Sequence, residues 1–186
     1  MTKKFAIIRN MKCGSTSLSH FLRKNGMVVN RQGLLGNFLG NHATYNSIKE
    51  HLHIAFSEEQ IKQITFVSSV RNPEERAVSA YAHLSDRKCK FSIDEWILRV
   101  WMRIPTDEEI LNGLDIPNLK VFRLENLYQE VKEWAIEENL DHRRITKVNS
   151  RAGREKRRPR TIETELQKAT KEAIRDKWSW TLDNFY

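Results

Sequence analysis

Two short segments of the sequence carry residue types that bind phosphate and similar anions. The first consists of Lys12, Cys13, Gly14, Ser15, Thr16 and Ser17. A glycine lets the backbone approach an anion closely, the hydroxyls add hydrogen-bond donors, and the lysine adds a positive charge. The Walker A motif requires an upstream glycine and a lysine after the second glycine, and this segment has neither. An ordinary nucleoside triphosphatase is therefore disfavoured, and a simple helix cap is the competing interpretation.

The second segment begins at Arg71 and ends near Tyr81. Arg71 follows a run of strand-forming residues, and open α/β sheets bind ligands at the carboxyl ends of their strands. Pro73 suits the first position of a helix, which would place Ser79 about two turns further along. We expect Arg76 to pair with an acidic residue and Tyr81 to pack in the core. The segment thus offers a guanidinium and a hydroxyl to a second anion.

The elements that position these segments alternate between strand and helix along the chain. Apolar runs predict strands at residues 5–8, 27–29, 64–70 and 119–124. Helical spacing predicts helices from Ser15, Pro73 and Ser92, and at about 45–52, 125–139 and 161–177, with capping boxes at 57–60 and 106–109. Residues 178–186 are predicted to form an aromatic tail. This alternation predicts an α/β fold with a parallel sheet, in a single domain over residues 1–186.

The positive charge of the chain is concentrated in one window. The whole sequence has 32 Lys and Arg against 24 Asp and Glu, a formal net charge of +8. Residues 143–160 contain nine of the basic residues and a single acid, so this window alone carries the entire excess. Outside this window the basic and acidic side chains are equal in number, so the protein is not basic in general. The window indicates a local anion site, a tail or a solvated segment.

Length and composition exclude several classes of protein. The 186 residues are 39% hydrophobic with five Trp and eight Phe, which is too apolar for a disordered chain. No apolar run approaches the roughly 20 residues of a membrane span, and the short apolar run before Arg9 is no signal peptide. Two cysteines fit neither a disulfide framework nor a zinc pattern. We therefore expect a reduced, soluble, cytoplasmic protein with no membrane partner.

Both anion segments resemble motifs of the sulfotransferases that use 3′-phosphoadenosine 5′-phosphosulfate (PAPS). Residues 12–18 resemble the 5′-phosphosulfate loop, and residues 70–81 resemble the 3′-phosphate motif, in the same order and at a matching separation. Four further segments resemble the family more weakly, namely residues 40–43, 123–127, 148–150 and 182–186. The sequence is most similar to the carbohydrate and Golgi-type branch and its short bacterial and viral relatives. The resemblance implies the sulfotransferase fold, a P-loop-kinase-like α/β fold with a parallel sheet flanked by helices.

The resemblance also implies a role for each matching residue. The chain would move the sulfuryl group of PAPS to an acceptor hydroxyl, on a carbohydrate in the similar branch, without a metal. Lys12 would stabilise the leaving phosphate oxygen, and the loop from Cys13 to Ser17 would hold the 5′-phosphate. Arg71 and Ser79 would bind the 3′-phosphate. Residues of the basic window would fold over the nucleotide as a flap, namely Arg151, Gly153 and Arg154.

Two positions of the first loop depart from the family pattern. Cys13 replaces the usual threonine, and Met11 replaces the usual proline. A thiol beside Lys12 at a helix start would have a lowered pKa and be open to oxidation. The alternative is a small side chain that packs in the interior. The glycine, the hydroxyls and the lysine are retained, so anion binding is expected to survive.

The acceptor hydroxyl needs a base that takes its proton, and histidine is the usual choice near neutral pH. We predict His42, because it follows a loop rich in Gly and Asn and resembles a region where relatives carry their base. A polar loop histidine or a helix cap is the alternative for His42, and some relatives use glutamate. His20 and His83 fall within predicted amphipathic helices and are expected to be surface or packing residues.

Three other functions remain open on the sequence. A small-molecule kinase would show Mg²⁺-dependent ATP turnover, and the missing Walker A motif argues against it. A nucleic-acid-binding protein would use the basic window, but residues 143–160 contain no aromatic side chain to stack on bases. The third alternative is a member of the sulfotransferase family that binds the nucleotide but has no catalytic activity. We expect a small-molecule or carbohydrate acceptor as partner and no nucleic acid.

Overall fold

The sheet of this protein is parallel throughout. The computed structural model describes residues 2–30, 43–84, 89–144 and 166–186. Its strands are β1 (Lys4–Ile8), β2 (Met27–Val28), β3 (Thr65–Val70) and β4 (Leu119–Arg123). They pair in the order β2-β1-β3-β4, and every pairing is parallel. The predicted α/β class, with a parallel sheet flanked by helices, is confirmed.

Helices connect and flank these strands. They are α1 (Ser15–Asn25), α2 (Tyr45–Leu52), α3 (Glu58–Lys62), α4 (Pro73–Leu84), α5 (Ile93–Arg99), α6 (Asp107–Ile110), α7 (Leu127–Glu137), α8 (Lys168–Lys177) and α9 (Ser179–Phe185). Short 3₁₀ turns lie at Trp101–Arg103, Asn112–Leu114, Leu124–Asn126 and His142–Arg144. Among these residues, no helix is both long and apolar enough to cross a membrane.

Local capping chemistry sets several helix starts. The side chains of Ser57, Ser92 and Thr106 each accept a hydrogen bond from the backbone amide three residues later. In each case the Gln or Glu at that later position bonds back, which completes a capping box and satisfies two amides that lack helical partners. The starts of α3, α5 and α6 are therefore encoded locally, as predicted.

Both faces of the sheet are buried. Alternate residues of β1 and β3, such as Phe5 and Val67, pack against α1 and α7. The intervening residues, such as Ile8 and Phe66, pack against α2, α3 and the end of α6. Side chains on a strand alternate between its two faces, so a continuous apolar run is what a doubly covered parallel strand requires.

A third apolar cluster lies among α4, α5 and α8. Three indoles run through it, with ring centroids 6.3 Å apart for Trp96 and Trp101 and 6.1 Å apart for Trp101 and Trp178. Both pairs are stacked with an interplanar angle of 25°. This cluster holds the C-terminal helices against the helix that follows β3.

The C-terminal region differs from its predicted form. Most of the predicted tail is helical as α9 (Ser179–Phe185), which Trp178 precedes; Trp178 is buried in the third cluster and its carbonyl accepts the amide of Leu182. The preceding helix begins at Lys168, since Gln167 is extended and donates its amide to Asp94 at 3.1 Å. The predicted stretch at 161–165 lies outside the described residues. Helix α7 starts two residues later than predicted, after a 3₁₀ turn.

The strand order creates a switch point between β1 and β3. The chain leaves β1 for β2 on one side, then crosses to β3 on the other side of β1. Open α/β sheets bind ligands outside the carboxyl ends of their strands at such a point. The loops that follow β1 and β3 are the two predicted anion segments, so the topology brings them side by side.

Candidate functional site

The carboxyl ends of β1 and β3 lie next to each other. Ile8, the last residue of β1, pairs with Ser68, two residues before β3 ends. Beyond the paired residues, the side-chain amide of Asn10 donates to the carbonyl of Ser69 at 3.1 Å. Asn10 is fully buried, so this bond ties the two loops together in the interior.

The first loop presents open backbone donors. It turns sharply through Lys12 with φ 62° and Gly14 with φ 79°, and α1 begins at the next residue. The amides of Ser15 and Thr16 are the first two of the helix and have no acceptor within it. The first turn of α1 contains no acidic residue, so the positive end of its dipole is not offset there. This end of α1 is chemically suited to an anion.

The hydroxyl residues of the first loop differ in the donors that they present to an anion. The amide of Ser17 donates to the carbonyl of Gly14 at 3.0 Å, within the first turn of the helix. Ser17 therefore offers an anion its hydroxyl rather than its amide. Thr16 is exposed, whereas Ser15 is half-buried.

Gly14 is required for two independent reasons. Its positive φ lies in the left-handed region, which side chains other than glycine rarely adopt. A Cβ at this position would also lie 2.6 Å from Cδ1 of Leu124 and 3.2 Å from Cδ2 of Leu127. The loop thus lies directly against the turn that follows β4, and a third strand end helps to shape the site.

The thiol of Cys13 belongs to the interior. Cys13 is completely buried, and its Sγ donates to the carbonyl of Met11 at 3.3 Å. Burial raises the pKa of this thiol to about 12. The interpretation in which Cys13 packs is confirmed, and a lowered pKa at the helix start is wrong, because loss of hydration outweighs the nearby positive charges. An anion at this loop would therefore meet the backbone of Cys13 and not its thiol.

We expect Cys13 to resist alkylation in the folded protein. With a pKa near 12, only about one thiol in 10⁴ is ionised at pH 8, and the thiolate is the nucleophile. Cys89 is only partly buried, so iodoacetamide should label it much faster than the completely buried Cys13. Timed labelling followed by mass spectrometry measures both rates, and Cys89→Ser should remove the fast phase. Equal rates for the two thiols would contradict the burial of Cys13.

The same shift predicts how Cys13 affects stability. An unfolded thiol ionises near pH 8.5, whereas the folded one ionises only near 12. Ionisation therefore favours the unfolded chain between these values. The stabilisation from Cys13 is complete below pH 8.5 and is lost progressively as the pH rises toward 12.

The second loop differs from the first because its helix start is already satisfied. The side-chain oxygen of Asn72 accepts the amides of Glu74 at 3.1 Å and Glu75 at 3.4 Å. The amide of Asn72 itself donates to the carboxylate of Glu125 at 2.9 Å. Two acids also occupy the first turn of α4. An anion bound here must therefore be held by side chains.

Arg71 and Ser79 are the side chains available for that role. Arg71 follows the last residue of β3 and is 22% exposed, with its guanidinium 3.1 Å from the carboxylate of Glu75. Ser79 is partly buried in the middle of α4. A phosphate at Arg71 would compete with Glu75 for the same guanidinium. The two loops thus differ in chemistry, one offering amides and a lysine, the other an arginine and a hydroxyl.

Sequence reasoning missed two residues at this edge. Glu125 follows β4 and accepts both the Asn72 amide and the hydroxyl of Tyr186, the latter at 2.7 Å. Burial and this hydrogen bond raise the pKa of Tyr186, which keeps the phenol protonated as a donor. Glu125 lies in a segment that resembles the family, but nothing local identified its partners. Tyr186 lies in the stretch that the sequence predicts to be an aromatic tail.

Arg76 forms the predicted pair with an acid. Its Nη1 lies 2.6 Å from Oδ1 of Asp107, and both side chains are almost completely buried. Tyr81 is buried as predicted, and His20 and His83 lie in α1 and α4. The partner of Arg76 is 31 residues away, and the sequence did not identify it.

Four predicted site residues cannot be placed. His42, Arg151, Gly153 and Arg154 lie outside the described residues, as does most of the basic window. The described site therefore consists of the β1 loop, the β3 loop and the turn after β4. It brings together Lys12, Gly14, Ser15, Thr16, Ser17 and Arg71 at one edge, with Ser79 on the following helix.

Of three comparisons with known proteins, only the comparison with solved structures gives matches. No protein-family model matches the sequence, and no curated protein matches it. Among solved structures, seven chains match. One is a sulfotransferase from Alicyclobacillus acidocaldarius, 14% identical, with a TM-score of 0.49 over 98% of this chain and 94% of that chain.

Proposed function

We propose that this protein is a sulfotransferase that moves the sulfuryl group of PAPS to an acceptor hydroxyl. One observation carries the proposal. Two chemically different anion loops flank the switch point between β1 and β3, and each resembles the sulfotransferase motif expected at its place in the chain. One loop offers amides and a lysine, and the other offers Arg71 and Ser79. That pairing suits a nucleotide with phosphates at both the 5′ and 3′ positions.

The first loop would hold the 5′-phosphate and assist departure of the leaving group. The amides of Ser15 and Thr16 lie at a helix start whose first turn contains no acidic residue. During transfer the bond between sulfur and the bridging phosphate oxygen breaks, and that oxygen gains negative charge. The ammonium of Lys12 would stabilise this charge, and fixed donors of this kind supply much of the catalysis in such displacements.

The second loop would distinguish the nucleotide from simpler ones. Arg71 can place two donors on a 3′-phosphate, and Ser79 adds a hydroxyl from α4. Because the amides at the start of α4 are already bonded, the 3′-phosphate would depend on these side chains. AMP has no 3′-phosphate and would gain nothing from them.

The acceptor side of the proposal rests on the family resemblance. A base would take the proton as the acceptor oxygen bonds to sulfur, and His42 is our candidate. The basic window at 143–160 would close over the nucleotide, with Arg151, Gly153 and Arg154 nearest to it. A carbohydrate is the first acceptor to test, because the similar branch sulfates sugars. His42→Ala should lower turnover while leaving nucleotide affinity almost unchanged, and a parallel loss of both would refute this role.

Calorimetry with nucleotides tests the proposal directly. Binding of 3′-phosphoadenosine 5′-phosphate (PAP) should be roughly 10- to 100-fold tighter than binding of AMP, from one or two charge-assisted hydrogen bonds. Equal affinities would contradict the role of the second loop. Transfer from labelled PAPS to sugars, phenols and amines would then identify the acceptor class. Mg²⁺-dependent ATP turnover without sulfuryl transfer would favour a kinase instead.

A further inference from the structure

A buried polar network lies beneath the first anion loop. It consists of Arg76 on α4, Asp107 at the start of α6, and Thr181 on α9, with exposures of 1%, 0% and 0%. One carboxylate oxygen of Asp107 accepts the Arg76 guanidinium at 2.6 Å. The other accepts the hydroxyl of Thr181 at 2.9 Å. Both oxygens of the carboxylate are therefore used to connect three helices.

The network also reaches the loop itself. Nε of Arg76 donates to the carbonyl of Met11 at 2.9 Å, and the thiol of Cys13 donates to the same carbonyl. That carbonyl belongs to the peptide bond between Met11 and Lys12. Its orientation, and with it the start of the Lys12 side chain, is fixed by two donors from the interior.

Stability alone is a weak explanation for this arrangement. A buried ion pair loses hydration on both partners, and apolar replacements of similar size are often at least as stable. Nη2 of Arg76 is buried and has no hydrogen-bond partner among the described residues, which adds a further cost. The Trp101 ring, 5.5 Å from the guanidinium carbon, offsets part of it. Such groups are retained where a defined geometry matters more than stability.

The network joins the two anion loops through one side chain. Arg76 belongs to α4, the helix that carries Ser79 and begins next to Arg71. Its bond to Met11 therefore connects the element proposed for the 3′-phosphate with the loop proposed for the 5′-phosphate. Asp107 and Thr181 hold the guanidinium in place from the opposite side.

We propose that Arg76, Asp107 and Thr181 are positioning residues that set the spacing between the two phosphate sites. The inference rests on the proposed function, because it assigns one phosphate to each loop. A ligand that occupies both loops depends on the spacing, whereas a ligand that occupies only the first loop does not. The network is therefore a determinant of specificity for a 3′,5′-bisphosphate.

Thr181 provides the mildest test. Thr181→Val keeps the size of the side chain and removes the hydroxyl donor to Asp107. PAP affinity should fall about tenfold, the lower end of the range for one lost hydrogen bond to a charged group, while AMP affinity should change less than about twofold. Thr181→Ser retains the hydroxyl donor, so it should show the same preference for PAP over AMP as the wild-type protein. Calorimetric titrations of both nucleotides, with thermal unfolding of each variant as the fold control, give the measurement.

The possible outcomes separate this inference from the proposed function. If the wild-type protein does not prefer PAP to AMP, the proposed function fails. If the wild type prefers PAP and Thr181→Val keeps the full preference, the positioning role is refuted. An equal weakening of PAP and AMP would indicate a general structural defect and would also refute it. Thr181→Ala removes the same donor and serves as the test if the valine variant does not fold.

Discussion

Replacing Lys12 with alanine is expected to reduce sulfuryl transfer by about 10³-fold in kcat, the scale on which single charge-stabilising groups act. In the proposed reaction, the bridging phosphate oxygen gains charge only as its bond to sulfur breaks. The ammonium therefore matters more for the rate than for binding. PAP affinity should fall less than about tenfold, because the amides at the start of α1 remain. Rates with labelled PAPS and PAP titrations measure the two effects separately.

Lys62 offers a matched control for this substitution. It is an exposed lysine at the end of α3, on a different element from either anion loop. Lys62→Ala removes the same charge from the chain and should leave the rate within about twofold, as for most surface substitutions. Comparable losses in the two variants would indicate a general effect of net charge. Full activity of Lys12→Ala would refute the assignment of Lys12.

Arg71→Ala is expected to weaken PAP by roughly 10- to 100-fold, the range for a lost charge-assisted phosphate contact. AMP affinity should stay within about twofold, since AMP lacks the group that Arg71 is proposed to bind. The dissociation constant of AMP divided by that of PAP should therefore fall toward one. Ser79→Ala should move the ratio in the same direction by a smaller factor, because it removes a neutral donor. An unchanged ratio in Arg71→Ala would place the 3′-phosphate elsewhere.

Removing the ion-pair partner of Arg71 should strengthen PAP binding, the opposite of the effect expected for Arg71→Ala. Glu75 holds the guanidinium at 3.1 Å, so Glu75→Gln should free Arg71 and strengthen PAP binding a few-fold. The matched control is Glu74→Gln on the same helical turn, because Glu74 pairs with Arg175 at 2.8 Å instead. Only the Glu75 variant should act through Arg71. If both variants strengthen PAP equally, the effect is one of overall charge.

The sequence was sufficient for features that depend on neighbouring residues. Apolar runs predicted the four observed strands, and capping residues such as Ser92 and Thr106 predicted helix starts, because both signals act over a few residues. Strands that alternate with helices imply a parallel sheet. Both anion loops were predicted because each combines a strand end with a helix start. The strands and the capped helix starts are confirmed to within one or two residues, because their physical basis is local. Anion binding by the two loops stays a prediction.

Features set by distant contacts were not predictable. Cys13 appears reactive beside Lys12 in the sequence, yet tertiary packing buries it completely and raises its pKa. The acceptor of the Asn72 backbone amide is the carboxylate of Glu125, which is 53 residues away in the chain. The helix α9 exists because Trp178 packs against elements far away in the chain. In each case the deciding partner leaves no signal in the neighbouring sequence.

The network under the first loop has a consequence for the order of folding. Its bonds join residues separated by 65, 31 and 74 positions, from Met11 through Arg76 and Asp107 to Thr181. Contacts of such separation form late, because the chain must first close long loops. A chain whose sheet has formed before α9 docks leaves Asp107 without its Thr181 donor. We therefore expect the first anion loop to be among the last parts to become rigid.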